Sequence, residues 1–246
     1  TTVQLGALTT AQVAALTTAV LARLETADLV AISSAALTAL GSSQVAALTS
    51  AQVAALTTAQ LGALSVGAFA GLEGADLAAL STAQIIALRT AQVGAMGSAQ
   101  VAGLTSAQIA ALTTAQVTAL TAAGLQGLQA ADAVALTTAQ AAVLTSAQLA
   151  AIGTAAIAAI GTADLVALSS RAVRGLTGAQ IKAMTGAQLA ALSTVQLGAV
   201  STAALTKIEA AAIRSLTTAP FVSLSTAQSA ALDSAQVAGL TTTQVA

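Results

Sequence analysis

The stretch Leu8-Thr9-Thr10-Ala11-Gln12-Val13-Ala14-Ala15 decides the fold, because its pattern returns every eight residues from Thr1 to Ala246 without insertion or deletion. We number the octad from its first hydroxyl residue, so that Thr9 is position 1, Gln12 position 4, Val13 position 5 and Leu16 position 8. Leu, Ile, Met or Val fills all 30 instances of position 8, from Leu8 through Ile32, Met96, Ile152 and Val200 to Leu240. So strict a register describes a repeat array, since binding and catalytic sites are usually carried on irregular loops.

The octad reads as a helix that has to restart. Ala, Leu and Gln are good helix formers, and Ala is depleted from strands. One continuous helix fails on geometry: eight residues at about 100° each carry the leucine roughly 80° past two full turns, so the large residues would wind around the helix. Nor does the period match the heptad or 11-residue repeats of supercoiled helices. Thr9 followed three residues later by Gln12 fits a capping box, in which the hydroxyl accepts from an early N–H and the amide reaches back. Leu8 and Val13 occupy the two hydrophobic-staple positions around it. Position 1 is Ser or Thr in 21 of 31 octads, and Gly41, Gly97, Gly153, Gly161 and Asp233 add acceptable caps. Thr10 offers a second register for the cap. Asp28, Asp76, Asp132 and Asp164 replace Gln where the helix dipole favours negative charge. Pro220 shares that slot, and a first turn tolerates proline because its missing N–H has no intrahelical partner there.

Helices of about six residues are too short to persist alone, so they are expected to stack. Burying a Leu or Val contributes roughly 1.5–3 kcal/mol, and two such residues per octad leave each unit dependent on its neighbours. The expected fold is all-α: a solenoid of very short helices, one per octad, with residues 1–246 forming a single repeat domain cut from a longer array. Positions 3 and 7, such as Ala11 and Ala15, are nearly always small and are expected to let backbones approach closely. Position 6 admits Thr38, Gln126, Arg174 and Lys182 and is expected on the exposed side. The alternative is a β-solenoid, against which stand the Ala content and the scarcity of turn residues.

Composition narrows function. Only 6% of residues are charged and the net charge is -1, which gives nucleic acid or an anionic membrane little to attract. Mean hydropathy is +0.89, yet hydroxyls recur in every stretch, and the most apolar segment, residues 149–160, is broken by Gly153 and Thr154, so no membrane span is expected. Cys and His are absent, which removes disulfides, thiolate ligands and the commonest general base. We expect no catalytic, cofactor-binding or metal-ligating residue, no cofactor and no enzymatic activity. The pairs Glu25 with Asp28 and Glu73 with Asp76 offer far fewer oxygens than the six to eight that calcium takes, and no nucleophile or base accompanies them.

Some octads depart from the pattern. Ala133, Ala141 and Ser229 replace the large residue at position 5, which reads as a groove or bend, or as drift compensated by Val134 or Val143. Phe69 and Phe221, the only aromatics, read as core fillers. Arg171, Arg174, Lys182, Lys207 and Arg214 gather in the last third, reading as a solvated face or a contact to an acidic neighbouring copy.

The phrase Leu48-Thr49-Ser50-Ala51-Gln52-Val53-Ala54-Ala55 resembles the octapeptide arrays of large bacterial secreted or cell-surface repeat proteins. That resemblance implies an extracellular structural or adhesive segment. The expected role is therefore a structural protein that self-associates into a filament, fibre or stalk. The alternative is a surface-binding module for ice or polysaccharide, built on the recurring pairs Thr9-Thr10, Thr57-Thr58, Thr113-Thr114 and Thr137-Thr138.

Overall fold

The computed structural model describes residues 1–245, which form 31 helices of four to six residues, one per octad, with no strand among the described residues. The β-solenoid is thereby excluded. Position 1 is the cap: Thr9, at φ -78° and ψ 163°, precedes the helix Thr10–Ala14, and its hydroxyl accepts the Gln12 N–H at 3.4 Å.

Where a helix runs to six residues, two extended residues join it to the next. Between Ser50–Ala55 and Thr58–Ala63 these are Leu56 (φ -59°, ψ 138°) and Thr57 (φ -68°, ψ 159°). Such values lie near polyproline II, a region open to every L residue. No described residue has positive φ, which explains how the chain turns at every octad without requiring Gly or Asn at the corner.

Helical phase then assigns the faces. At about 100° per residue, positions 4 and 5 centre one side, positions 2 and 7 flank it, and positions 3 and 6 point away. Burial follows this order, with positions 4, 5 and 8 in the core, position 7 half-buried and position 3 exposed throughout the chain. Val13, Leu61, Leu77, Val93, Leu149 and Leu197 are fully enclosed, as is Phe69. Thr38, Gln126, Arg174 and Lys182 are exposed, as position 6 requires. Of the two small positions only the one represented by Ala15 lies between backbones. The one represented by Ala11 faces solvent, because it sits on the far side of so short a helix.

The chain forms two compact units, Thr1–Gly127 and Leu128–Ala246. Within the first, helix Ser50–Ala55 packs on Gly74–Ala79, and Gly74–Ala79 on Ser98–Gly103. Within the second, Ala130–Ala135 packs on Thr154–Ala159, and Thr154–Ala159 on Gly178–Ala183. Within each unit a helix thus meets the third one along, while side-chain bonds from Gln60 to Ile32 and from Gln188 to Ile160 span 28 residues and reach the fourth. A coil of 28 residues is three and a half octads, so an octad lies between two octads of the next coil.

Closest approach occurs where position 7 of one octad meets position 2 of the octad three before it. A Cβ on Gly71 would fall on the Ser42 carbonyl, on Gly127 on that of Ser98, and on Gly175 on that of Ser146. Sizes are matched across this contact. The long Lys207 lies over Gly178, and Ser215 lies over Gly186.

At the irregular octads, Ala133 and Ala141 remain buried, and their helices Ala130–Ala135 and Thr138–Ala142 pack on Thr154–Ala159 and Thr162–Ala167. Val134 does not compensate, being 65% exposed on the position-6 face, and Val143 is half-buried. Val143, Thr145, Ser146, Ser169 and Arg171 line a shallow groove beside this region. Ser229 is exposed and Phe221 half-buried. Among the described residues no helix is long and apolar enough to cross a membrane.

The same substitution at two glycines separates close packing from capping. Gly175→Ser is expected to destabilise by about 1–3 kcal/mol, the usual range for overpacking. Gly153 is a cap with open space around it, so Gly153→Ser should stabilise by a few tenths of a kcal/mol. Urea unfolding of both variants checks this, and equal effects would refute the assignment of position 7 to the contact between coils.

Candidate functional site: the glutamine clamp between coils

The residue that ties one coil to the next is the Gln at position 4, present in 18 of 31 octads. Its Oε1 accepts the N–H of its own position-1 residue, at 2.9 Å from Thr9 to Gln12, 2.7 Å from Thr49 to Gln52 and 3.0 Å from Ser193 to Gln196. Position 1 returns the bond through its hydroxyl, which accepts the Gln N–H. This is the capping box expected from the sequence.

The other half of the amide goes elsewhere. Nε2 donates to the carbonyl of position 8 in the octad four before it and to that of position 5 or 6, as from Gln60 to Val30 and Ile32. Gln92 reaches Leu61 at 2.8 Å and Leu64 at 3.0 Å, and Gln188 reaches Ile157 at 3.0 Å and Ile160 at 2.8 Å. Gln236 does the same with Leu205 at 3.1 Å and Ile208 at 2.8 Å. One side chain therefore closes the N-terminus of its own helix and the C-terminus of a helix one coil back. Gln92 is 0% exposed, and such enclosure is tolerable because donor and acceptor sides of the amide are both engaged.

Capping alone did not reveal this second role, but the sequence carries a signal for it. A capping box accepts Glu as readily as Gln. Yet no octad has Glu at position 4, and all three glutamates, Glu25, Glu73 and Glu209, stand at position 1. A carboxylate can cap but cannot donate to the carbonyls behind it.

Asp, the acidic residue that does occur there, solves the problem differently. Asp76 accepts the Glu73 N–H at 2.9 Å through one oxygen and the Ser50 hydroxyl at 2.7 Å through the other. Asp164 accepts the Thr138 hydroxyl at 2.8 Å. The shorter side chain turns to position 2 of the octad three before it, and the donor now lies on the neighbouring coil. The pair Glu73 and Asp76 is thus a cap whose second carboxylate bonds the backbone of the first. Among the described residues, no group of three or more acidic side chains is placed to hold a metal ion.

The remaining singled-out residues find ordinary places. Pro220 is buried in the first turn of Thr218–Val222, where Thr217 makes no side-chain cap bond because the residue that would donate to it is proline. Arg171, Arg174, Lys182, Lys207 and Arg214 are all exposed, and Arg214 Nε donates to the Gly239 carbonyl at 3.0 Å. The two hydroxyls of a Thr pair are not equivalent: that of Thr57 belongs to the cap, whereas Thr58 is exposed.

Gln188→Glu isolates the donor, since it keeps the cap acceptor, removes Nε2 and sets a carboxylate against two carbonyls. We expect a loss of about 2–3 kcal/mol, the range for a buried group left without its partner. Gln12 is exposed, so Gln12→Glu should change stability by only a few tenths of a kcal/mol, as for a solvated surface site. Thermal unfolding of the two variants gives the comparison, and equal losses would contradict the clamp.

The chain was compared with known proteins. No curated protein matches it. The family model of the ALTTAQ repeat matches residues 21–58, 69–106, 94–122 and 157–194, together more than half of the chain. Its repeat is the octad whose capping residues and clamp are described above, and the protein belongs to the ALTTAQ repeat family.

Proposed function

We propose that this chain is a structural repeat protein, not an enzyme, which builds an extracellular or cell-surface filament or stalk by stacking and self-association. The observation that carries this reading is that the recurring side chains are already engaged in holding the fold. Position 1 caps, position 4 clamps, positions 5 and 8 fill the core and position 7 seats one coil on another. What such an octad offers to its surroundings is a surface and a length.

The surface supports the same conclusion. Position 3 presents mostly Ala methyl groups to solvent and position 2 mostly Thr or Ser, with few charges between them. Low charge leaves little long-range repulsion between copies, and contacts between such faces depend on apolar burial and short hydrogen bonds. The family membership supports the repeat architecture, and the resemblance to arrays of secreted bacterial proteins supports placement outside the cell.

Sedimentation velocity across a concentration series, with negative-stain imaging, tests the reading. We expect species that grow with concentration and are unchanged by added salt, since ionic screening acts on charges this interface lacks. A monodisperse monomer at every concentration would overturn self-association, and dissociation in salt would overturn its apolar basis.

A further inference from the structure

We propose that copies of this chain lie side by side, joined along a stripe of Thr, Val and Ile side chains that runs up one side of each unit. This rests on the self-association proposed above and names the surface that carries it.

Because a coil of 28 residues is three and a half octads, positions 2 and 6 alternate from coil to coil, and residues 28 apart form a column on the outside of the stack. In the first unit one column reads Val30, Thr58, Ile86, Thr114, and in the second another reads Thr138, Val166, Thr194, Val222. Bonds between coils hold these residues in line. Gln60 Nε2 donates to the Val30 carbonyl at 2.9 Å, Gln116 Nε2 to that of Ile86 at 3.2 Å and Gln196 Nε2 to that of Val166 at 3.2 Å. The Ser223 hydroxyl, next to Val222, lies 3.4 Å from the Thr194 carbonyl.

Every member of the two columns is β-branched, with apolar and hydroxyl-bearing residues alternating. The threonines are exposed and Val30 half-buried, while Ile86 is 50% and Val166 52% exposed. Val195, beside Thr194, is 68% exposed and widens the second stripe. On another side of the same coils the column of positions 2 and 6 is small instead, reading Ala46, Gly74, Ala102 in the first unit and Ala130, Ala158, Gly186 in the second. The two sides therefore differ in character. Stiff β-branched side chains have few rotamers to lose, so they enter a contact at low entropic cost. No member is charged, and the Asp164 carboxylate, on the helix of Val166, is engaged by the Thr138 hydroxyl.

The spacing of the stripe identifies its occupant. Each coil offers only one or two side chains, far short of the about 800 Å² per partner in a standard interface. The occupant must therefore repeat alongside at the spacing of the coils, so that many small contacts act together. A second copy does so, and its own uncharged stripe meets no repulsion. Stripe faces the same stripe, which makes the contact isologous.

Lysine substitutions on and off the stripe test the inference. Position 6 already carries Arg174 and Lys182 in exposed places, so Ile86→Lys with Val166→Lys should fold like the wild type by circular dichroism. In sedimentation velocity this double variant should associate at least about tenfold more weakly than wild type. Ala70→Lys with Ala150→Lys adds the same charges at exposed position-6 sites nearly half a coil away and should associate as wild type. Ile86→Glu with Val166→Glu should fail alone but associate when mixed with the stripe lysine variant, because opposite charges then face each other. Wild-type association by the stripe lysine variant, equal loss in the off-stripe control, or no association of the mixture would overturn the stripe while leaving self-association standing. A wild-type chain that stays monomeric would overturn both.

Discussion

A helix of four to six residues is nearly all ends. Its first four N–H groups and last four carbonyls have no intrahelical partner, so in this protein the exception elsewhere becomes the rule for most of the backbone. Everything else in the fold answers that demand. Position 1 and the Gln acceptor take the early N–H groups, and the N–H of position 8 tightens the exit by bonding the position-5 carbonyl, as from Leu56 to Val53 at 3.2 Å. The last carbonyls are met from the following coil by Gln Nε2. Helix termini, which usually face water, are here the places where coils are joined, and a polar side chain belongs in the core for that reason.

A coil of three and a half octads has a mechanical consequence. Within each unit, no described helix sits directly on another. Each is staggered over two, meeting the third helix along through positions 2 and 7 and the fourth through position 4. A substitution is therefore felt by more than one neighbour, and stability is shared along the stack in the manner of one-dimensional repeat proteins. Matched sizes show the same coupling. Lys207 is accommodated because Gly178 lies beneath it, 29 residues earlier in the chain, and neither residue makes sense alone.

What could be read from the octad was whatever the octad settles locally. The restart of the helix, the cap at Thr9, the exposure of position 6, the tolerance of Pro220 in a first turn and the burial of Phe69 all follow from about one turn of backbone and its immediate neighbours. The offset between coils does not, because it depends on how the extended link between helices is repeated over dozens of residues. Hence the destination of Nε2 and the burial of Ala133 and Ala141 without a compensating neighbour emerged only from the folded chain. Traces of the offset were nonetheless written in the sequence, in the exclusion of Glu from position 4 and in the glycines at Gly178 and Gly186 that answer Lys207 and Ser215.

The central claim is that buried glutamine amides hold consecutive coils together. Hydrogen exchange of the Gln side-chain amide protons, resolved residue by residue by NMR, measures this directly. Gln92 and Gln188, whose Nε2 groups are enclosed between two carbonyls, should be strongly protected, and Gln4 and Gln12, which are exposed, should exchange at the rate of a solvated amide. Uniformly fast exchange at all four would contradict the account, because it would leave the coils joined by apolar packing alone.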